Sequence, residues 1–143
     1  MKKAYTLLLV TLFGALTACS KTEDTAPAPT TTTLSATVNG AQQVPANPST
    51  ATGNFTGKYD SSNKQLTYTV TYQGFTPTVA HIHLGAPGAS GPVAIPFANL
   101  ASPITGTVTL SDVQATALLN SGMYVNMHSS AYPNGEVRGD IRK

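Results

Sequence analysis

The strongest constraint on this chain is a two-residue rhythm. Between residues 66 and 72, Leu66, Tyr68, Val70 and Tyr72 alternate with Thr67, Thr69 and Thr71. Side chains point to opposite faces of a strand in turn, so this segment reads as a strand with one apolar and one hydroxyl face. A helix would scatter the same residues around its circumference. The rhythm returns through the chain. Leu34, Ala36 and Val38 show it, as do Phe55 and Tyr59, then Ala80, Ile82 and Leu84, then Val93, Ile95 and Phe97. Val108 and Leu110 continue it, followed by Met123, Val125 and Met127, and finally Val137 and Ile141. Pro96 inside one run marks an edge strand or a bulge. Residues 60–64, Asp-Ser-Ser-Asn-Lys, read as a hairpin loop. One helix interrupts the series. Ser111 and Gln114 form a capping-box pattern, Val113, Ala117 and Leu118 supply an apolar face, and Gly122 suits the exit. The expected fold is all-β: an antiparallel Greek-key or immunoglobulin-like β-sandwich with one short helix in a connection.

Before residue 34 the pattern is absent. Lys2 and Lys3 precede an uncharged, largely apolar run over residues 4–16, which is the layout of a secretory signal. It is shorter than the roughly 20 apolar residues a membrane-spanning helix needs. Leu16-Thr17-Ala18-Cys19 closes the run and resembles a bacterial lipobox. The expected organisation is therefore a signal peptide over 1–18, a lipidated Cys19 opening a flexible tether over 19–33, and a domain over 34–143. The tether contains Pro27, Pro29 and a run of threonines, has no large apolar residue, and would reach about 40 Å. The lipid would hold the domain on a membrane of the cell envelope, at a bacterial outer membrane or cell surface.

Charge and cysteine narrow the function classes. Of eight Lys and Arg in the chain, Lys2 and Lys3 fall in the expected signal, which leaves six against six Asp and Glu. A domain near neutrality with no basic cluster argues against nucleic acid as a partner. The single cysteine is assigned to the anchor, so the domain is expected to hold together without a disulfide.

The polar face carries the chemistry. His81 and His83 share one strand face, opposite Ala80, Ile82 and Leu84. Asn126 and His128 lie opposite Val125 and Met127, and Glu136 and Arg138 lie opposite Val137. If these strands are neighbours, all three histidines converge. Three imidazoles are a ligand set for zinc or copper, with Glu136 as a fourth ligand or a partner behind the ligands. The same residues also suit a hydrogen-bonded network in which Asn126, Glu136 and Arg138 pin the rings, or a ligand site without metal. The glycine-rich residues 85–92 have no helix after them and read as a turn-rich connection, not a phosphate loop. No serine lies in a nucleophile elbow.

Several blocks resemble the chordin-type CHRD domain: residues 39–45 (Asn-Gly-Ala-Gln-Gln-Val-Pro), 66–70, 80–88 and 91–93, then 124–128 (Tyr-Val-Asn-Met-His) and 132–139 (Tyr-Pro-Asn-Gly-Glu-Val-Arg-Gly). The family usually has Glu at the position of Gln43. The resemblance spans nearly all of residues 34–143 and implies one β-sandwich-like domain, with His81, His83, His128, Glu136 and Arg138 inside its signature blocks. It implies little about activity, because the family has no settled biochemical role. A partial likeness to Cu/Zn superoxide dismutase rests on a His-x-His strand. One cysteine and three histidines are too few for that enzyme's disulfide and paired metal sites, so the likeness is one of fold. The expected function is a non-enzymatic envelope module that binds a protein or glycan partner or serves a structural role. The alternative is a zinc- or copper-binding domain, redox-related, built on the three histidines.

Overall fold

Threonine and valine are stiff at χ1 and fit a pleated surface, and the segments they dominate are the strands. The computed structural model describes residues 31–143; the expected signal, Cys19 and most of the expected tether lie outside them. The strands are β1 (Thr31–Asn39), β2 (Thr52–Asp60), β3 (Gln65–Gln73), β4 (Val79–Leu84), β5 (Val93–Pro96), β6 (Ile104–Thr109), β7 (Met123–His128) and β8 (Val137–Asp140). A 3₁₀ turn (Gly40–Gln42) follows β1, and helix α1 (Asp112–Leu119) separates β6 from β7. β1 begins three residues before the domain start expected from composition.

All strand pairs are antiparallel, and they form one sheet in the order β5-β4-β7-β8-β1-β2-β3-β6. β1 and β2 pair along their whole length, from Thr31 opposite Asp60 to Asn39 opposite Thr52. β8 and β1 meet only through Asn39 opposite Arg138 and a bridge between Ser35 and Arg142. At this thin seam the sheet curls, so that both halves bury their apolar faces in one core. Leu34, Phe55, Leu66 and Val70 come from one side, and Ile82, Met123, Val125, Met127 and Val137 from the other. The all-β antiparallel class with one helix is as expected. Its strands are hydrogen-bonded as one curled sheet, where an immunoglobulin-like sandwich would have two. The seam supplies bonds that two separate sheets would leave open at their edges.

Two local expectations change. The alternation puts Val93 on one face with Ile95 and Phe97, but β5 carries a bulge against β4, so that Ile95 faces Ile82 while Val93 comes opposite His83. An extra residue reverses the facing of everything beyond it, and Val93 is exposed. In α1 the capping box forms, with Ser111 Oγ accepting from the Gln114 amide and Gln114 Oε1 from the Ser111 amide. The buried stripe, however, is Ala115 and Leu118, while Val113 is 68% exposed. The left-handed exit residue is Ser121, not Gly122, whose amide instead donates to the Ala117 carbonyl at 2.7 Å. The hairpin over 60–64 is as expected, with Lys64 at φ 58° closing the turn into β3.

Candidate metal centre

β4 and β7 are adjacent, with His81 opposite Asn126, His83 opposite Tyr124, and Val79 opposite His128. This register places the three histidines on the outer face of the sheet, His128 diagonal to His81. Their rings stand edge to face: the His81 centroid lies 5.3 Å from that of His83 and 5.3 Å from that of His128. One ring nitrogen from each residue falls in a group whose members all lie within 4.8 Å of one another.

Each ring is oriented by its strand and, in two cases, by a loop carbonyl. His83 Nδ1 donates to the Gly91 carbonyl at 2.9 Å, and His128 Nδ1 donates to the Pro133 carbonyl at 2.8 Å. A proton on Nδ1 leaves the lone pair on Nε2, so backbone carbonyls select the tautomer. The nitrogens left over, His81 Nδ1, His83 Nε2 and His128 Nε2, are all buried and have no hydrogen-bond partner. Buried polar atoms are nearly always paired, with protein, ordered water or an ion, so three orphans in one cluster mark a place where such a partner fits. Metal–nitrogen bonds of about 2.0–2.1 Å would set three ligating nitrogens about 3.3–3.6 Å apart, closer than the 4.8 Å within which the ring nitrogens lie here.

The electrostatics keep the lone pairs of His81 and His83 free. Burial holds the His81 imidazole below its ordinary pKa, and the charges of His83 and His128 add to this. Burial also lowers that of His83; the Gly91 carbonyl opposes the shift, and His128 and Arg138 reinforce it. Neutral imidazole is the form that ligates.

The expected supporting residues lie near the cluster but serve other partners. Glu136 is not a fourth ligand: its Oε1 accepts from Ser49 Oγ at 2.6 Å. It sits one residue before β8, where its amide donates to the Met127 carbonyl at 2.8 Å. Asn126 Oδ1 accepts from Gln43 Nε2 at 2.8 Å and pins no histidine. Arg138, 1% exposed, donates to the carbonyls of Ala86 and Ala89 and to Asp140 Oδ1. It thereby holds residues 85–92, the glycine-rich connection, against the sheet. Gly91 is needed there, because a Cβ would collide with the Leu84 carbonyl.

Tyr124 belongs to the site although the sequence did not single it out. Its ring stacks on His83 at 4.8 Å with planes 5° apart, and the Arg138 guanidinium lies 3.6 Å from its centroid. Its hydroxyl accepts from the Gly91 amide at 3.2 Å. Since β7 lies between β4 and β8, the phenol is the middle layer of an imidazole–phenol–guanidinium stack. The available signal was parity: Tyr124 shares a strand face with Asn126 and His128.

No curated protein and no solved structure matches the chain. The CHRD domain family matches it over residues 34–141, which takes in every strand from β2 to β8, all three histidines and the Tyr124–Arg138 stack. The chain is therefore a member of the CHRD domain family.

Proposed function

We propose that this protein is a non-enzymatic binding module of the cell envelope whose ligand is a metal ion, copper or zinc, held by His81 Nδ1, His83 Nε2 and His128 Nε2. One observation carries the reading: each of three clustered histidines keeps a buried ring nitrogen without a partner, and one ring nitrogen from each lies within 4.8 Å of the others. A purely structural histidine network would spend those atoms on hydrogen bonds. Here only the two Nδ1 atoms that set the tautomers are spent. The carboxylate that could have served as an acid or base, Glu136, is bound to Ser49. That favours holding an ion over turning over a substrate. The lipid on Cys19 and the tether would place this ion-binding face at a membrane surface.

Elemental analysis of untagged protein, with titration of metal into the stripped form, tests the reading. About one equivalent of copper or zinc is expected, together with a rise in melting temperature that follows metal concentration. Each single His→Ala change should weaken binding by about a hundredfold or more. If the wild type and the triple His→Ala protein respond alike to both metals, the reading is wrong. The anchor is tested separately, by fatty-acid labelling of the wild type and of Cys19→Ser; label that survives the substitution removes it.

A further inference from the structure

Three neutral nitrogens bring no charge to balance a bound cation. The groups that could add a fourth donor are engaged elsewhere. Glu136 is bound to Ser49, the Asn126 carbonyl oxygen to Gln43, and the Tyr124 hydroxyl to the Gly91 amide. Met123 and Met127 point to the opposite face, into the core. The charged cluster on the far side of Tyr124 is itself cationic. Arg138 lies behind Tyr124, and Asp140 is shared between Arg138 at 2.9 Å and Arg142 at 3.7 Å, two positive charges against one negative. The Arg138 guanidinium is buried and lies two stacking layers from His83.

We infer that the triad is a site for monovalent copper, and that Arg138 is a specificity-determining residue that disfavours divalent ions there. The inference rests on the reading of the triad as a metal site. The cost of desolvating an ion scales with the square of its charge, so a divalent ion pays about four times the penalty of a monovalent one. With no anionic ligand, nothing in the first layer offsets that difference. Zinc would also have to fill a fourth position with a water, as it does where three histidines are its only protein ligands, whereas monovalent copper accepts three donors. The guanidinium then repels a doubly charged ion more than a singly charged one, and the effect reaches the metal through His83 and the intervening ring.

Anaerobic competition of Cu⁺ against a chromophoric chelator, beside Zn²⁺ competition and the Cu²⁺/Cu⁺ potential, tests this on the folded protein. Cu⁺ should bind more than about a hundredfold tighter than Zn²⁺. Zn²⁺ binding closer to Cu⁺ than that, or tighter, overturns the inference while leaving the metal site intact. Failure of both ions to bind overturns the site itself. Charge variants isolate Arg138. Asp140→Asn keeps an oxygen for the guanidinium and removes the negative charge, so the ratio of Cu⁺ to Cu²⁺ affinity should rise about tenfold, ~59 mV in potential. Arg138→Met should lower the ratio by a similar factor, and Arg138→Lys should leave it within about threefold. If Asp140→Asn leaves the ratio unchanged or lowers it, Arg138 does not set the selectivity. That variant decides the matter even if Arg138→Met does not fold.

Discussion

The two halves of the sheet treat their outer faces in opposite ways. On β1, β2, β3 and β6 the outer face is a field of hydroxyls. Ser35, Thr56, Thr69 and Thr105 form one cross-strand row, and Thr33, Lys58, Thr67 and Thr107 the next. Nearly all of these side chains meet solvent. On β4, β7 and β8 the outer face is polar too, yet His83, Tyr124, Asn126 and Arg138 are buried on it. Three loops cover it. Residues 85–92 are tied down by Arg138 and Tyr124, the loop after the 3₁₀ turn by Gln43 to Asn126 and by Asn47 to the Gly135 and Glu136 carbonyls, and residues 129–136 by His128 to Pro133. A polar face left in water needs no specific partners. A polar face under loops needs a partner for every donor and acceptor, and the histidine nitrogens are the ones left without.

The contrast gives graded predictions. The largest effect belongs to the arginine under the loops. Arg138→Ala removes five donors from a buried site, leaves Asp140 without its nearest cation, and frees the carbonyls of Ala86 and Ala89. Urea unfolding should show a loss of about 3–5 kcal/mol. A loss below about 1 kcal/mol would mean that the covered face is held by its loops without the arginine.

An intermediate effect should follow from acid. His81 and His83 have pKa values below the ordinary range in the folded domain, so the unfolded chain binds protons first. Their contribution to stability is therefore complete above about pH 6.5. It is lost as the pH falls from there through the lowered folded values. Urea midpoints of the metal-free domain should be flat from pH 8 to 7 and fall toward pH 5. A saturating metal should move the fall to lower pH, because it competes with the proton for the same lone pairs. A metal-free midpoint that stays level to pH 5 would contradict the burial of the two rings.

The smallest effect belongs to the open half. Thr56→Ala, in the middle of the hydroxyl face, should change stability by no more than about 0.5 kcal/mol, whereas Asn126→Ala, at a matching depth of the covered face, should cost about 1–3 kcal/mol. Equal costs would erase the distinction between the halves.

Much of this architecture can be read from the chain before folding is considered. Alternation located the strands, and parity put His81 and His83 on one face and His128 on the polar face of another strand. Val93 escaped that reading because a bulge is a two-strand property, created when β5 meets β4 out of step. Val113 escaped because a short helix buries whichever stripe its neighbours offer, here Ala115 and Leu118. The partner of Glu136, expected as a fourth ligand or a group behind the ligands, was not legible, because parity says which face a residue takes and nothing about which loop will arrive above it. Ser49 reaches it from the connection between β1 and β2. The Gly91 and Pro133 carbonyls that set the tautomers were not legible, since a backbone carbonyl carries no residue-type signal.

The sequence by itself determined the all-β class, the helix start at Ser111 and the strand face on which each histidine stands, because these follow from local periodicity and local hydrogen bonding. Only the tertiary structure decided that β4 and β7 would be neighbours, that three loops would bury the face they share, and that three ring nitrogens there would be left without partners. Those outcomes depend on pairings between residues about 39 to 49 positions apart, and their energy is realised only when both partners leave water together.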